Sequence, residues 1–272
     1  MPSWNIHIAH TETLLERGGA VAHTVRDANA FLFGNVVPDI FVGYMVPGIE
    51  RPIPYRITHF ATPEPIPKPR EHEFWDTYVA PLIPRLNNDG GVPGSGPLVR
   101  PGSITPVTDT PATASVPGGV APASVAPSGD TPPVPLIRSL FDLTLGAWAH
   151  LVADNLWNTR VNEYLDARGE RPSENFRIKK QADFDGYGRT LHITSVPRET
   201  DALVHAAEAF PQYPIGRRYL HDAITVIHEI VRTNGGTAEH LPYRLLTDEF
   251  FASTFAEVIE TTERELEQRL KC

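Results

Sequence analysis

Cysteine is almost absent from the 272 residues: the single one, Cys272, comes last. That excludes a disulfide framework and any cysteine-rich zinc module, and it suits a reducing compartment. Basic charge is also scarce, with 24 Lys+Arg against 33 Asp+Glu and a formal net charge of -9. Non-specific binding of nucleic acid or of an anionic membrane needs a basic surface, so no nucleic acid is expected as a structural partner. There is no run of about 18 apolar residues. The start, MPSWNIHIAHTETLLERGG, lacks the basic segment, apolar core and small-residue cleavage site of a secretion signal. The expectation is a cytoplasmic protein with no stable membrane insertion. Against these absences stand 27 prolines and 11 histidines, the latter a mild excess that directs attention to metal ligation.

The prolines are unevenly spread. Residues 87–135 hold 11 Pro, 8 Gly, 10 Ser+Thr, four charged residues and no aromatic. Such a stretch buries too little apolar surface to offset the entropy of ordering it, and its proline spacing predicts extended polyproline-like conformations. Residues 1–86 and 136–272 are therefore expected to form one domain interrupted by a disordered insert, since the candidate site residues lie on both sides of it.

Both flanks read as helical. Helices are expected over 11–16, 21–33, 71–86 (kinked at Pro81), Leu136–Ala167, 201–210, 215–232 and 247–270. The last starts on the capping residue Thr247 and places Phe251, Phe255, Val258, Leu266 and Leu270 along one stripe. Alternating strand patterns are short and rare, so the expected fold class is all-α, a multi-helix bundle.

The helix Leu136–Ala167 carries a polar line at four-residue steps, Gly146, His150, Asp154 and Asn158, amid Trp148, Leu151, Val152, Leu156 and Trp157. Residues four apart share a helix face, so His150 and Asp154 are expected to face inward. A buried carboxylate needs a cation, a metal or several donors. The pair can converge on one metal ion, or it can be a hydrogen-bonded pair that orients the helix. Gly146 removes bulk where another backbone or a substrate can approach. Three more positions stand in apolar settings. His7 lies between Ile6 and Ile8, ahead of a helix expected to begin near Thr11. Asp39 follows Gly34 and Pro38 and is the only charge between Asp27 and Glu50, and His59 lies between Ile57 and Phe60. Taken singly, a core histidine or a capping carboxylate accounts for each.

The order His7, Gly34-x3-Pro38-Asp39, His59, Gly146-x3-His150-x3-Asp154 resembles the zinc-dependent bacterial phospholipase C family, related to the S1/P1 nucleases, and is most similar to its small members without a secretion signal. The resemblance implies an all-α fold of that type and a metal site with His7, Asp39, His59, His150 and Asp154 as ligands. Secreted members bind metal through the free amine of an N-terminal Trp. Here Trp4 stands behind Met1, Pro2 and Ser3. They also carry further His and Glu ligands after the His-x3-Asp helix. In this chain His221, His228 and Glu229 come much later, and one or two ions are expected.

Three His and two Asp suit Zn²⁺ and could also hold Mn²⁺ or Fe²⁺. The implied reaction is hydrolysis of a phosphoester, small-molecule or lipid, with Asp39 as a candidate to orient or deprotonate the attacking water. Phosphate needs cations, and Lys179, Lys180 and Arg189 are the candidate donors; the alternative for them is a solvated basic turn. Two rival readings remain: a non-catalytic helical protein held by a structural metal or a His/Asp network, and an interaction module using the acidic C-terminal helix and the Pro-rich insert.

Overall fold

The computed structural model describes residues 2–88, 136–235 and 242–271. The expected insert at 87–135 lies outside the described residues from position 89 onward. Of the described residues, 68% are helical and none form strands, as expected for an all-α chain; one bridge joins Ala61 to Pro69. These residues belong to a compact unit made of Met1–Val92 together with Val134–Cys272.

The helices are α1 (Trp4–Glu16), α2 (Ala20–Thr24), α3 (Ala28–Gly34), α4 (Val37–Ile40), α5 (Tyr55–Thr58), α6 (Glu71–Phe74), α7 (Ile83–Asn88), α8 (Leu136–Ala167), α9 (Glu174–Thr190), α10 (Asp201–Glu208), α11 (Arg217–Thr233) and α12 (Asp248–Leu270). Helix α8 is the axis of the unit, and α3, α10 and α12 pack on it. By length and composition α8 could cross a membrane, but 89% of its most apolar window is buried inside the protein.

Several local expectations need correction. Helix α1 begins at Trp4, well before Thr11, so His7 lies inside a helix. Trp4, Ile6, His7, Ile8, Ala9, His10 and Thr11 are all buried, and a helix covered on nearly every side shows no amphipathic period to read. The single helix expected over 21–33 is broken at Val25, which is extended. There Asp142 of α8 accepts the Arg26 and Asp27 amides at 3.0 and 2.7 Å, and Asp27 caps α3 by accepting from Ala30 N. The stretch 71–86 is helical but composite: a π turn (Trp75–Val79) and a 3₁₀ turn (Ala80–Leu82) separate α6 from α7. Pro81 has no N–H and its ring crowds the preceding turn, which accounts for the interruption. The segment that carries Lys179, Lys180 and Arg189 is helix α9 and no turn; it is capped by Ser173, whose hydroxyl accepts from Phe176 N. In α12 the stripe holds for Phe251, Val258 and Leu266, all buried, but Leu270 at the frayed end is 41% exposed.

One crossing positions the site. A Cβ on Gly34 would stand 2.0 Å from the Leu143 carbonyl oxygen, and one on Gly146 2.2 Å from that of Phe31. Helices α3 and α8 thus touch backbone to backbone, so the approach that Gly146 permits is that of another helix.

Candidate metal centre

Four segments converge beside this crossing. Helix α1 supplies His7, α4 supplies Asp39, the residue that ends α5 is His59, and α8 supplies His150 and Asp154 one turn apart. His7, His59, His150 and Asp154 are 0% exposed, and Asp39 is 4% exposed. Phe60, immediately after His59, has φ 53, the one positive φ at a non-glycine among the described residues. An aromatic residue adopts that conformation at a cost of about 1–2 kcal/mol. Its ring is held edge-on against Phe74 and Tyr78, which keeps His59 turned inward.

The separations are short enough for these atoms to share an ion. His7 Nε2 is 3.4 Å from Asp154 Oδ1, His59 Nε2 is 3.4 Å from Asp39 Oδ1, and His59 Nε2 is 3.1 Å from His150 Nε2. Asp154 Oδ2 lies 3.6 Å from His59 Nε2 and 3.8 Å from His150 Nε2. Two donors each about 2.1 Å from a tetrahedral ion stand roughly 3.4 Å apart. The five residues form two groups, His7/His150/Asp154 and Asp39/His59/His150, that have His150 in common.

Hydrogen bonding sets the chemistry of the ring nitrogens. His150 Nδ1 donates to the Asn35 carbonyl at 2.7 Å, which leaves Nε2 as a lone pair. The Thr58 hydroxyl donates to Tyr55 O and so accepts from His59 Nδ1 at 2.7 Å, leaving the same lone pair there. Two lone pairs facing each other at 3.1 Å repel unless a proton or a metal ion lies between them. Histidine ligands characteristically donate their outer N–H to a carbonyl or an oxygen in this way. His7 has no hydrogen-bond partner for either nitrogen, and Asp154 Oδ1 has none.

Burial brings the His7 imidazole down to about 4 and lowers His59 as well, while His150 next to His7 acts in the same direction. Both rings are neutral at pH 7. Burial pushes the carboxyls of Asp39 and Asp154 upward, but their histidine neighbours overcome it and hold both low, so both stay ionised. Two ionised carboxylates buried beside the neutral rings of His7 and His59 call for a cation, since an uncompensated buried charge costs several kcal/mol.

This arrangement predicts acid lability of the metal-free protein. The unfolded His7 takes up its proton near pH 6.5 and the folded one only near 4, so stability falls as pH drops through that window. Asp142, raised to about 6 by its burial, acts in the opposite direction. The His7 contribution is therefore read as wild type minus His7→Gln: in urea unfolding that difference should shrink by about 2–3 kcal/mol between pH 7 and pH 4.5. An unchanged difference would contradict a neutral, buried His7.

Neighbouring groups orient the five. Trp4, buried in α1, donates its indole N–H to Asp39 Oδ2 at 3.0 Å, so it meets the site through its side chain rather than through a terminal amine. Tyr55 stacks on His59 at 3.7 Å between centroids and donates its hydroxyl to Asp154 Oδ2 at 2.8 Å. Nothing in the sequence alone marks Tyr55 as a site partner apart from Tyr55-x3-His59, which has one-turn spacing. His10, one turn after His7, is buried with both nitrogens unbonded and packs on Phe255 at 4.3 Å. Burial lowers its pKa well below the usual range.

Other candidates lie elsewhere. His221, His228 and Glu229 are exposed on α11; His221 pairs with Glu199 at 3.0 Å and Glu229 with Arg232. They add no ligand, because α11 buries Leu220, Ala223, Ile224 and Ile227 and turns these three outward. The three basic candidates do not come together. Lys180 is buried, Lys179 is half-buried about 100° around α9, and Arg189 is exposed about 13 Å further along the helix. Asp183, beside them in sequence, accepts the amides of Arg244, Leu245 and Leu246.

The fold and this cluster define the protein as an all-α chain with a buried His₃Asp₂ centre of metal-binding geometry. No family model, curated protein or solved structure matches it.

Proposed function

We propose that the protein is a metal-dependent hydrolase of a phosphoester, with zinc the ion best suited to the centre and His7, Asp39, His59, His150 and Asp154 its ligands. The fold type would then be that of the zinc-dependent phospholipase C and S1/P1 nuclease group. The observation that carries the metal is the pair of inward lone pairs on His59 and His150, beside two ionised, buried carboxylates. Zinc held there supplies an electrophile for a phosphoryl oxygen and acidifies a water.

The chain's own groups have definite tasks in this reading. In this reading water reaches the centre beside Asp39, the one ligand of the five that is not wholly enclosed, and its carboxylate, with Oδ1 3.4 Å from His59 Nε2, accepts a proton from the nucleophile. Trp4 fixes Asp39 through Oδ2, and Tyr55 fixes Asp154. Asn35 and Thr58 hold His150 and His59 in the tautomer whose Nε2 faces inward.

A specific observation favours a second reading: four of the five residues are wholly enclosed, as in structural metal sites, where no coordination position is open. Turnover separates the two. Protein with its metal should hydrolyse at least one member of a panel of phosphodiesters, phosphomonoesters and dispersed phospholipids. Chelation should abolish that activity and zinc should restore it, with Asp39→Asn lowering kcat about 10²–10⁴-fold. Tightly bound metal without turnover across the panel would leave the structural reading.

A further inference from the structure

A cleft of about 290 Å³ opens between the segment around Ile66 and the start of α9. Ile66 and Phe176 line it and are buried, as is Lys180, which is 8% exposed. We propose that this cleft binds an oxyanion, the phosphate group of a phosphoester, with Lys180 as its cation.

Charge and position argue for it. Among the described residues Lys180 has no carboxylate partner; its ammonium lies 5.9 Å from the centre of the Phe184 ring. Burial lowers the Lys180 pKa, and the charge of Asp154 acts to raise it, which places the amine within electrostatic reach of the centre. The two other charged residues of the cleft cancel: Arg177 donates to both oxygens of Glu174, at 2.9 and 2.6 Å, on the exposed rim. No carboxylate among the described residues thus balances the Lys180 charge, and a buried ammonium is stabilised by an anion that enters the cleft.

The N-terminal end of α9, a 17-residue helix, opens on the same space at Ser173 and adds its partial positive charge. The cleft is one layer from the ligands. Ile66 belongs to the same apolar cluster as Ala153 and Trp157, which flank Asp154 and Asn158, and the next carbonyl, that of Pro67, accepts from Asn158 Nδ2 at 2.8 Å.

That the anion belongs to a substrate rests on the hydrolase reading, whereas binding of inorganic phosphate is measured without turnover. The full chain, purified with its metal, is titrated with inorganic phosphate by ³¹P line broadening. Wild type should bind saturably below about 10 mM, and Lys180→Met should weaken binding at least tenfold with metal content unchanged. Ser173→Asp keeps a good helix cap, so it preserves the fold, and places a carboxylate in the cleft; it should weaken phosphate at least threefold. Lys180→Arg should retain most of the affinity. No saturable binding in wild type, or equal affinity in wild type, Lys180→Met and Ser173→Asp, overturns the proposal, the latter because phosphate would then be held at the metal alone. Phosphate binding that depends on Lys180, in a protein inactive on every phosphoester tried, keeps the cleft and removes the hydrolase reading.

Discussion

Replacing His150 and Asp154 together by alanine is expected to reduce bound metal from at least one ion per chain to below about a tenth, read by elemental analysis of protein purified without chelator. His150 is common to both ligand groups, so its loss opens each of them, and Asp154 faces His7, His59 and His150 at 3.4–3.8 Å. If the metal saturates the wild type at a thousandfold excess over its dissociation constant, its loss alone removes about 4 kcal/mol of stability. Asp154→Asn separates the metal term from packing. It keeps the shape and leaves one negative charge where there were two, so metal affinity should fall steeply. Wild-type protein that is folded and metal-free would refute the metal centre and with it the hydrolase.

The second large effect is expected from a single methyl group. Gly146→Ala should destabilise the protein by about 3–5 kcal/mol and weaken metal binding at least tenfold. The sign makes the test sharp, because alanine in an unobstructed helix would stabilise by about 1 kcal/mol over glycine. Here the added carbon would meet the Phe31 carbonyl at 2.2 Å and the Gly34 Cα at 3.0 Å, both backbone, so α3 must move away from α8. That movement withdraws the Asn35 carbonyl from His150 Nδ1, now 2.7 Å away, and frees the ring. Gly216→Ala is the control: nothing lies within 4 Å of the new carbon, and a change within about 1 kcal/mol is expected. Thermal or urea unfolding with parallel metal analysis reads both variants.

Particular residues show how far the sequence could be read. The step of four from Gly146 to Asn158 sets a face of α8 whatever surrounds it, so the inward line of His150 and Asp154 was legible, and so was a helix over Leu136–Ala167. Thr247 caps α12 as expected, because a hydroxyl at that position satisfies a free amide locally, here that of Phe250. The start of α1 was not legible: its β-branched Ile6 and Ile8 are poor helix formers, and burial on nearly every side removes the polar face that marks a helix. Nor was α9, where Gly186 and Gly188 suggest a turn. Gly188 is instead where α1 comes close, since a Cβ there would lie 2.6 Å from Ser3 Oγ.

By itself the sequence determined the helical class, the expectation of a large Pro/Gly-rich insert and the residue types able to ligate a metal, because composition and a four-residue period are local properties. Only the tertiary structure decided that His7, Asp39, His59, His150 and Asp154 meet within a few ångströms, that Lys180 is buried while Arg189 is exposed, and that His221 and His228 face outward on α11. Those outcomes depend on how α1, α4 and α5 pack against α8 around two glycines, a matter of close packing between segments about ninety or more residues apart in the chain.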